Sequence, residues 1–247
     1  MVLAEDTRRS GLLFSSCGIS AKRFISLHDH NEKGRVASLT QELQSGAVAA
    51  LISDAGTPLV SDPGYQLVKS CRENGISVSP VPGPSAPLAA LSASGLPPLP
   101  FAFLGFPPRG KGDIRKFFLP YAALASTVIF FERKDRLAST LALAYEVLGK
   151  REGCIARELT KTYEEFIPFI LDENIEKSLG ERELLGEITV VLGPPLESPR
   201  VDEKEVLKKI TEHKKADPSA KPKEIARRTH KDAPGWSVAD IYALLQR

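Results

Sequence analysis

The residues with most chemistry to offer stand in SDAGTPLVSDPG, residues 53–64. Asp54 and Asp62 supply carboxylates and Thr57 a hydroxyl, while Gly56 and Gly64 permit positive φ or close approach of the backbone to a ligand. The stretch follows a short apolar run at 47–52 and precedes a helical pattern. It therefore sits where a strand of an open α/β sheet ends, the edge at which such sheets bind ligands, and it suits a polar, partly cationic one. It is not GxGxxG, and GxxxxGK[ST] occurs nowhere, so neither nucleotide-binding loop has support. On local chemistry alone, a turn-rich connection whose aspartates cap helices fits equally well. VPGPSA, residues 81–86, forms a similar junction after the next predicted strand. Ser85 by itself reads as a helix N-cap, but two successive strands ending in Gly/Pro turns at one edge bring their ligand groups together.

Three further clusters are rich in charge. EDTRRSG (5–11) gathers Glu5, Asp6, Arg8 and Arg9 at what reads as another strand end. HDHNE (28–32) puts His28, His30 and Glu32 on alternate positions, one face if the segment is extended. A metal site there is the minority reading, because the chain has four histidines in all and no matched third ligand motif. RELTKTYEE (157–165) gathers Arg157, Glu158 and Lys161 after a predicted strand, and a surface ion-pair cluster is the alternative to function. GPS at 83–85 is not GxSxG, so nucleophilic hydrolysis has little support. Cys17, Cys71 and Cys154 are far apart without any CxxC, which fits a reduced cytosolic protein and argues against structural zinc.

These loops need elements to hold them. Val36, Leu39 and Leu43 recur at helical spacing and stop at Gly46; the run 47–52 reads as a buried strand, 64–74 as a helix, 76–81 as a strand and 85–94 as a helix. Such alternation predicts a parallel sheet covered by helices. LPPLP at 96–100 can sustain neither helix nor central strand and marks a domain boundary. Beyond it, 127–131 reads as a strand, 136–148 as a helix capped by Asp135 and ended by Gly149, 153–156 as the start of a strand and 187–192 as the last one. From Ser198 the chain turns charged, a linker into a small helical appendage in which Ser237 and Asp240 have the form of a capping box. The 247 residues thus divide into α/β domains at 1–98 and 99–196 and a basic linker and appendage at 197–247. Residues 200–232 carry a net charge of +4 against −2 for residues 1–199. The basic segment suits either nucleic-acid contact, through Lys221, Lys223, Arg227 and Arg228, or a solvated helical face. No apolar run reaches the roughly 18–20 residues of a membrane helix, and the acidic and basic start does not read as a signal peptide. A soluble, cytoplasmic protein is expected.

Taken in order, EDTRRSG, HDHNE, SDAGTPLVSDPG, VPGPSA, GFPPRGKG, FFERKDRL, ARELTKTYEE and GEITVVLGPP resemble the ribosomal small-subunit methyltransferase I family over residues 2–195. That family uses S-adenosyl-L-methionine to methylate a cytidine ribose 2′-hydroxyl in 16S rRNA. It belongs to the tetrapyrrole-methylase superfamily, the class III methyltransferases. The resemblance implies two α/β domains with the cofactor between them, a homodimer, and the small ribosomal subunit as partner.

Carried over by motif, the cofactor site comprises Asp54, Ala55, Gly56, Thr57 and Val60, then Ser85 and Ala86, Phe131 and Glu132, Leu159, and Gly186 with Ile188. Arg8, Arg9, Arg109, Lys111 and Arg115 are expected to hold RNA phosphates, each from a glycine- or charge-rich loop. Asp6, Glu32, Glu158 and Lys161 are the candidates to orient or deprotonate the hydroxyl. No metal is expected. Family members carry a further strand and glycine loop before the position of Val2, and without it one sheet position and one wall of the cofactor site are expected to be open. Two other readings stay open: a methyltransferase acting on a porphyrinoid-type small molecule, and a non-catalytic RNA-binding fragment.

Overall fold

The computed structural model describes residues 1–180, 184–196, 201–233 and 235–246. Three parallel strands, β1 (Val2–Ala4), β2 (Phe24–Ser26) and β3 (Ala50–Ile52), form the first sheet in the order β2-β1-β3. Leu3 of the central strand lies opposite Ile25 and Leu51. Each strand feeds a helix: α1 (Thr7–Ser16), α2 (Glu32–Gln44) and α3 (Tyr65–Glu73), with α4 (Ala86–Ala93) following the 81–86 turn. Leu3, Ile25, Leu27, Leu39, Leu67 and Cys71 make a small core between sheet and helices.

The strand expected at 76–81 is not formed. Among the described residues β3 pairs with β1 alone, and residues 77–81 make no backbone ladder; the Val78 carbonyl instead accepts from Arg72 Nη2 at 2.9 Å. A strand needs a neighbouring edge to satisfy its amides. Between this segment and β3 lies a groove of about 1270 Å³, lined by Leu51, Leu67, Cys71, Ile76 and Val78 among others.

The second sheet contains β4 (Phe101–Phe103), β5 (Thr127–Arg133), β6 (Arg151–Arg157), β7 (Glu165–Leu171) and β8 (Glu187–Pro195), in the order β4-β5-β8-β6-β7. Among the described residues of this sheet, only the β4–β5 pair is parallel. The alternation that signalled a parallel sheet in the first half therefore does not extend to the second, where β6 and β7 are joined without a crossover helix. The turns of 160–164 and Pro168 hide β7 in the sequence; it is an edge strand, where a proline can be tolerated.

Pleating sorts the second sheet into two faces. Val128, Phe130, Ile155, Val190 and Leu192 pack under α5 (Lys111–Phe118), α6 (Leu137–Leu148) and α7 (Ile175–Gly180) in the largest core. Ile129, Cys154, Ala156 and Val191 point the other way and receive Ala90 and Leu91 of α4. Helix α4, the last helix before the second domain, thus packs on the second sheet. Asp135 does not cap α6; Arg136 occupies that position, and Asp135 lies 3.3 Å from Arg133 Nε instead. Gly149 ends the helix as expected, at φ 69°.

Residues 203–246 hold α8 (Glu203–Ala216), α9 (Pro222–Asp232) and α10 (Val238–Leu245), packed on one another through Val206, Ile210, Ile225, Trp236 and Ile241. The capping box is present, with Ser237 Oγ accepting from the Asp240 amide and Asp240 Oδ2 from the Ser237 amide. The charged stretch after Ser198 that read as a linker is largely helix α8, because Val206 and Ile210 bury against α9 and α10; its first residues, up to 200, lie outside the described residues.

Candidate functional site

Loop 53–64 leaves β3 and folds back beneath loop 81–86, where Thr57 Oγ1 donates to the Pro84 carbonyl at 2.8 Å. Ser53 Oγ donates to the Ala55 carbonyl at 3.2 Å and closes the turn. The loop then runs to the second domain: a Cβ added at Gly105 would lie 3.4 Å from Ser61 Oγ. Gly105 in turn accepts from the Phe131 amide at 2.9 Å, and the Phe131 ring meets Phe103 at 4.9 Å and Phe106 at 5.2 Å. Asp54, Ala55, Gly56, Thr57 and Ser85 are thereby set on loops, and Phe131 on strand β5, at the junction of the two sheets. Ser85 and Ala86 start α4, with Ser85 at the N-cap position but without a side-chain cap bond. Val60 is 44% exposed. Leu159 joins the α4-facing cluster with Phe103 and Phe166.

Two expected cofactor residues turn away. Glu132 and Ile188 are a cross-strand pair, and the pleat sends both side chains to the far face. Glu132 is 2% exposed and accepts from Thr140 Oγ1 at 2.6 Å, with Arg136 Nη2 at 3.3 Å; Ile188 packs in the core under α6. Only their backbones can serve a ligand at the junction.

Across β6–β8, Glu158, Lys161, Gly186 and Glu187 interlock. Glu158 Oε1 accepts from the Glu187 amide at 2.9 Å and from Lys161 Nζ at 3.0 Å, and Lys161 also reaches Glu187 Oε2 at 3.0 Å. The Glu187 amide and then Lys161 hold the Glu158 carboxyl below its usual range, and Glu158 and Glu187 raise Lys161. Both groups are therefore charged at neutral pH, and neither is tuned to exchange a proton there. Gly186, at φ 95°, lies under the Glu158 carboxylate, where any Cβ would collide with it.

The remaining expected residues are placed as follows. Asp6 is the N-cap of α1 and accepts from the Arg8 amide at 2.8 Å, which lowers its carboxyl below the usual range. Arg8 and Arg9 stand in the first turn of α1, and Lys111 and Arg115 in α5, so helices and not loops carry them; Arg109 alone is in a turn. Arg9 Nη1 reaches Asp54 Oδ2 at 3.1 Å, tying the charge cluster after β1 to the loop after β3. Arg115 is taken up by Glu146 at 2.6 Å. Arg8, Arg109 and Lys111 are exposed and make no ion pair among the described residues. Glu32 is 6% exposed and accepts from the Leu67 amide at 3.1 Å, fastening α2 to α3. HDHNE is not extended but turns at 29–31 into α2, of which Glu32 is the first residue, so its three side chains do not line one strand face; His28 Nε2 lies 3.0 Å from Asn31 Nδ2. Among the described residues no three His, Cys, Asp or Glu side chains are grouped to hold a metal.

Two features escaped the sequence. Asp62 is half-buried; burial raises its carboxyl first and the Glu5 charge adds to this, with a Ser53 hydrogen bond acting in the opposite direction. The four described non-glycine residues at positive φ are Leu59 (73°), Ser61 (70°), Glu158 (50°) and Thr160 (67°). All fall in the 53–64 and 157–165 loops. Such backbone strain gathers at ligand sites and costs roughly 1–3 kcal/mol per residue.

The sequence profile of the Tetrapyrrole (Corrin/Porphyrin) Methylases matches residues 3–173. Proteins called Ribosomal RNA small subunit methyltransferase I are similar to the chain: that of Vibrio cholerae is 45% identical over 194 residues (75% of this chain, 67% of the relative), and that of Thermotoga maritima 43% over 192 (78% and 85%). The Escherichia coli O157:H7 relative is 48% identical over 165 residues, 66% of this chain and 57% of its own length. The chain thus spans between about half and most of these relatives. Among solved structures, diphthine synthase matches with a TM-score of 0.56 at 13% identity, covering 78% of each chain. A Thermus thermophilus uroporphyrin-III C-methyl transferase complexed with S-adenyl homocysteine matches with 0.51 at 20%, covering 78% of this chain and 84% of that one. These two likenesses show the fold. With the profile and the relatives in agreement, the chain belongs to the tetrapyrrole methylase family and, within it, to the ribosomal RNA small subunit methyltransferase I proteins.

Proposed function

We propose that the chain is a methyltransferase that uses S-adenosyl-L-methionine to methylate the 2′-hydroxyl of a cytidine ribose in 16S rRNA of the small ribosomal subunit. The observation that carries this reading is the convergence of loop 53–64, which holds two of the four described strained non-glycine residues, on the 81–86 turn through Thr57 and on the second domain at Gly105. The residues there fit the cofactor. Gly56 leaves space around its Cα, with only the Pro84 carbonyl within 4 Å of an added Cβ, so backbone can approach a ligand, and Asp54 can face an ammonium or a ribose diol. When bound, S-adenosyl-L-methionine supplies an electrophilic methyl on a sulfonium.

The protein's share of the reaction is alignment and proton handling. Phe131, flanked by Phe103 and Phe106, gives an apolar wall that keeps water from the junction. The Arg9–Asp54 pair fixes the cationic helix α1 against the cofactor loop, and Arg8, with Arg109 and Lys111, receives RNA phosphates. Asp6 and Glu158 are held as carboxylates of low basicity by the Arg8 and Glu187 amides, so they orient. Asp62, whose carboxyl is raised by burial, is the better acceptor for the 2′-hydroxyl proton. The protein acts in the cytoplasm as a homodimer, which light scattering tests; no described helix is long and apolar enough to cross a membrane.

The test is calorimetry with S-adenosyl-L-methionine, followed by methyl transfer to small-subunit particles and mass spectrometry of the product. A saturable one-site isotherm and a methylated cytidine ribose are expected, with Asp62→Asn lowering kcat on the order of 100-fold at unchanged cofactor affinity. Absence of cofactor binding would sink the reading. A methyl group on a base would sink the 2′-hydroxyl assignment alone.

A further inference from the structure

Residues 203–246 fold around a core of their own, in which Val206, Ile210, Ile225, Trp236, Ile241 and Leu244 touch one another and no residue of either sheet is included. The reaction proposed above makes no use of this unit. On α9, Lys223, Arg227 and Lys231 follow one another at intervals of four residues, all exposed, on the side opposite buried Ile225, Ala226 and Thr229. At about 1.5 Å per residue the three cations stand about 6 Å apart in a row about 12 Å long.

Three carboxylates near the row, those of Asp217, Glu224 and Asp232, are turned to other partners. Glu224 and Asp217 hold Arg228 at 2.5 and 3.2 Å. Asp232 faces α8, where His213 Nε2 lies 2.9 Å from its carboxylate and Lys209 donates to its carbonyl. None of the three cations has an ion-pair partner among the described residues. An ordinary solvated helix gains from opposite charges at i,i+4, whereas like charges at that spacing cost a few tenths of a kcal/mol per pair. The row is therefore built against local helix stability.

We propose that Lys223, Arg227 and Lys231 bind the phosphate backbone of the RNA substrate, so that the helical unit is a second anchor beside the methyl-transfer site. The identity of the RNA rests on the function proposed above; the phosphate chemistry rests on the row itself. Joined to the catalytic domains by a short segment, a weak anchor of this kind raises the effective concentration of RNA at the junction without adding a base-specific contact.

The test compares the full chain with K223A/R227A/K231A and with the charge-conserving K223R/R227K/K231R, measuring binding of a 16S RNA fragment by fluorescence anisotropy across a salt series. Alanine substitution is expected to weaken binding on the order of 10- to 100-fold at moderate salt and to flatten the slope of log K against log salt by about 2. The same loss is expected with an unrelated RNA of equal length, and the charge-conserving variant retains binding. Thermal stability is unchanged or slightly raised, as relief of the like-charge pairs requires, S-adenosyl-L-methionine affinity stays unchanged, and the KM for RNA rises while kcat holds. Unchanged affinity and salt slope overturn the proposal. A loss seen with intact subunits but not with naked RNA also overturns it, in favour of a ribosomal-protein partner. If the wild-type chain methylates no RNA while the row still governs RNA affinity, the proposed function fails and the anchor stands.

Discussion

Among the described residues, each strand of the first sheet is three residues long and only β1 is paired on both edges, whereas β5, β6 and β8 of the second run for seven to nine residues with neighbours on both sides. The first core has six buried residues around Leu3 and opens on the groove beside β3; the second buries Phe118, Phe130, Leu141 and Ile155 completely. The loops with most ligand chemistry leave the weaker sheet and lean on the stronger one through Thr57–Pro84, α4 and Gly105. A rigid wall against a looser, ligand-bearing partner is an arrangement in which binding can order the loops without unfolding the scaffold.

The contrast can be broken or sharpened experimentally. The largest effect is expected at Arg151, which is fully buried and donates to the carbonyls of Leu148, Ser126, Gly193, Tyr121 and Ala122 with no carboxylate partner among its described bonds. Burial pushes its guanidinium down to about 10, still charged at neutral pH. Arg151→Ala strands those carbonyls in the second domain and is expected to cost about 3–5 kcal/mol in urea unfolding. A loss under 1 kcal/mol would show that the second sheet is not the stable element.

Equal deletions in the two cores come next. Leu141→Ala, in the dense core, is expected to cost about 3–4 kcal/mol, and Leu3→Ala, beside the groove, about 2–3, because its surroundings can collapse into open space. Amide exchange sharpens the same point: β1 and β3 should exchange faster than β5 and β8, and equal protection would erase the contrast. A smaller effect belongs to Asp6, whose removal from the α1 N-cap should lower the unfolding midpoint with unchanged slope.

The smallest effect is that of pH on the Glu158–Lys161 cluster. Glu158 is lowered from 4.5, so its contribution is present above that value and is lost as pH falls through the depressed folded value. Lys161 is raised from 10.5, so its contribution is present below that value and is lost as pH rises through the folded one. Loop 157–165 should therefore hold its shape from about pH 5 to 10 and loosen only outside that window, as followed by proton NMR of Tyr163. Loosening at neutral pH would remove the cluster as a support.

Several elements were legible because their signals are local. Helices α2 and α3 follow from apolar spacing and a glycine stop, β5 and β8 from β-branched and aromatic runs, and the capping box of α10 from Ser237 and Asp240. Others were not, because they depend on a neighbour. The run 76–81 has strand composition but no paired edge, and β7, despite Pro168, is a strand because β6 lies beside it.

The site divides in the same way. The sequence by itself determined which loops carry carboxylates, hydroxyls and glycines, since residue type and order decide what a turn can offer, and two of them, 53–64 and 81–86, do touch through Thr57 and Pro84. Only the tertiary structure decided which side chains face it. The pleat turns Glu132 and Ile188 away, Glu32 is spent on the Leu67 amide, and Arg115 on Glu146. Asp62 acquires its raised carboxyl from burial and from Glu5, a residue far away in the chain. Facing, burial and charge proximity belong to pairs of elements, and no single segment of the chain encodes them.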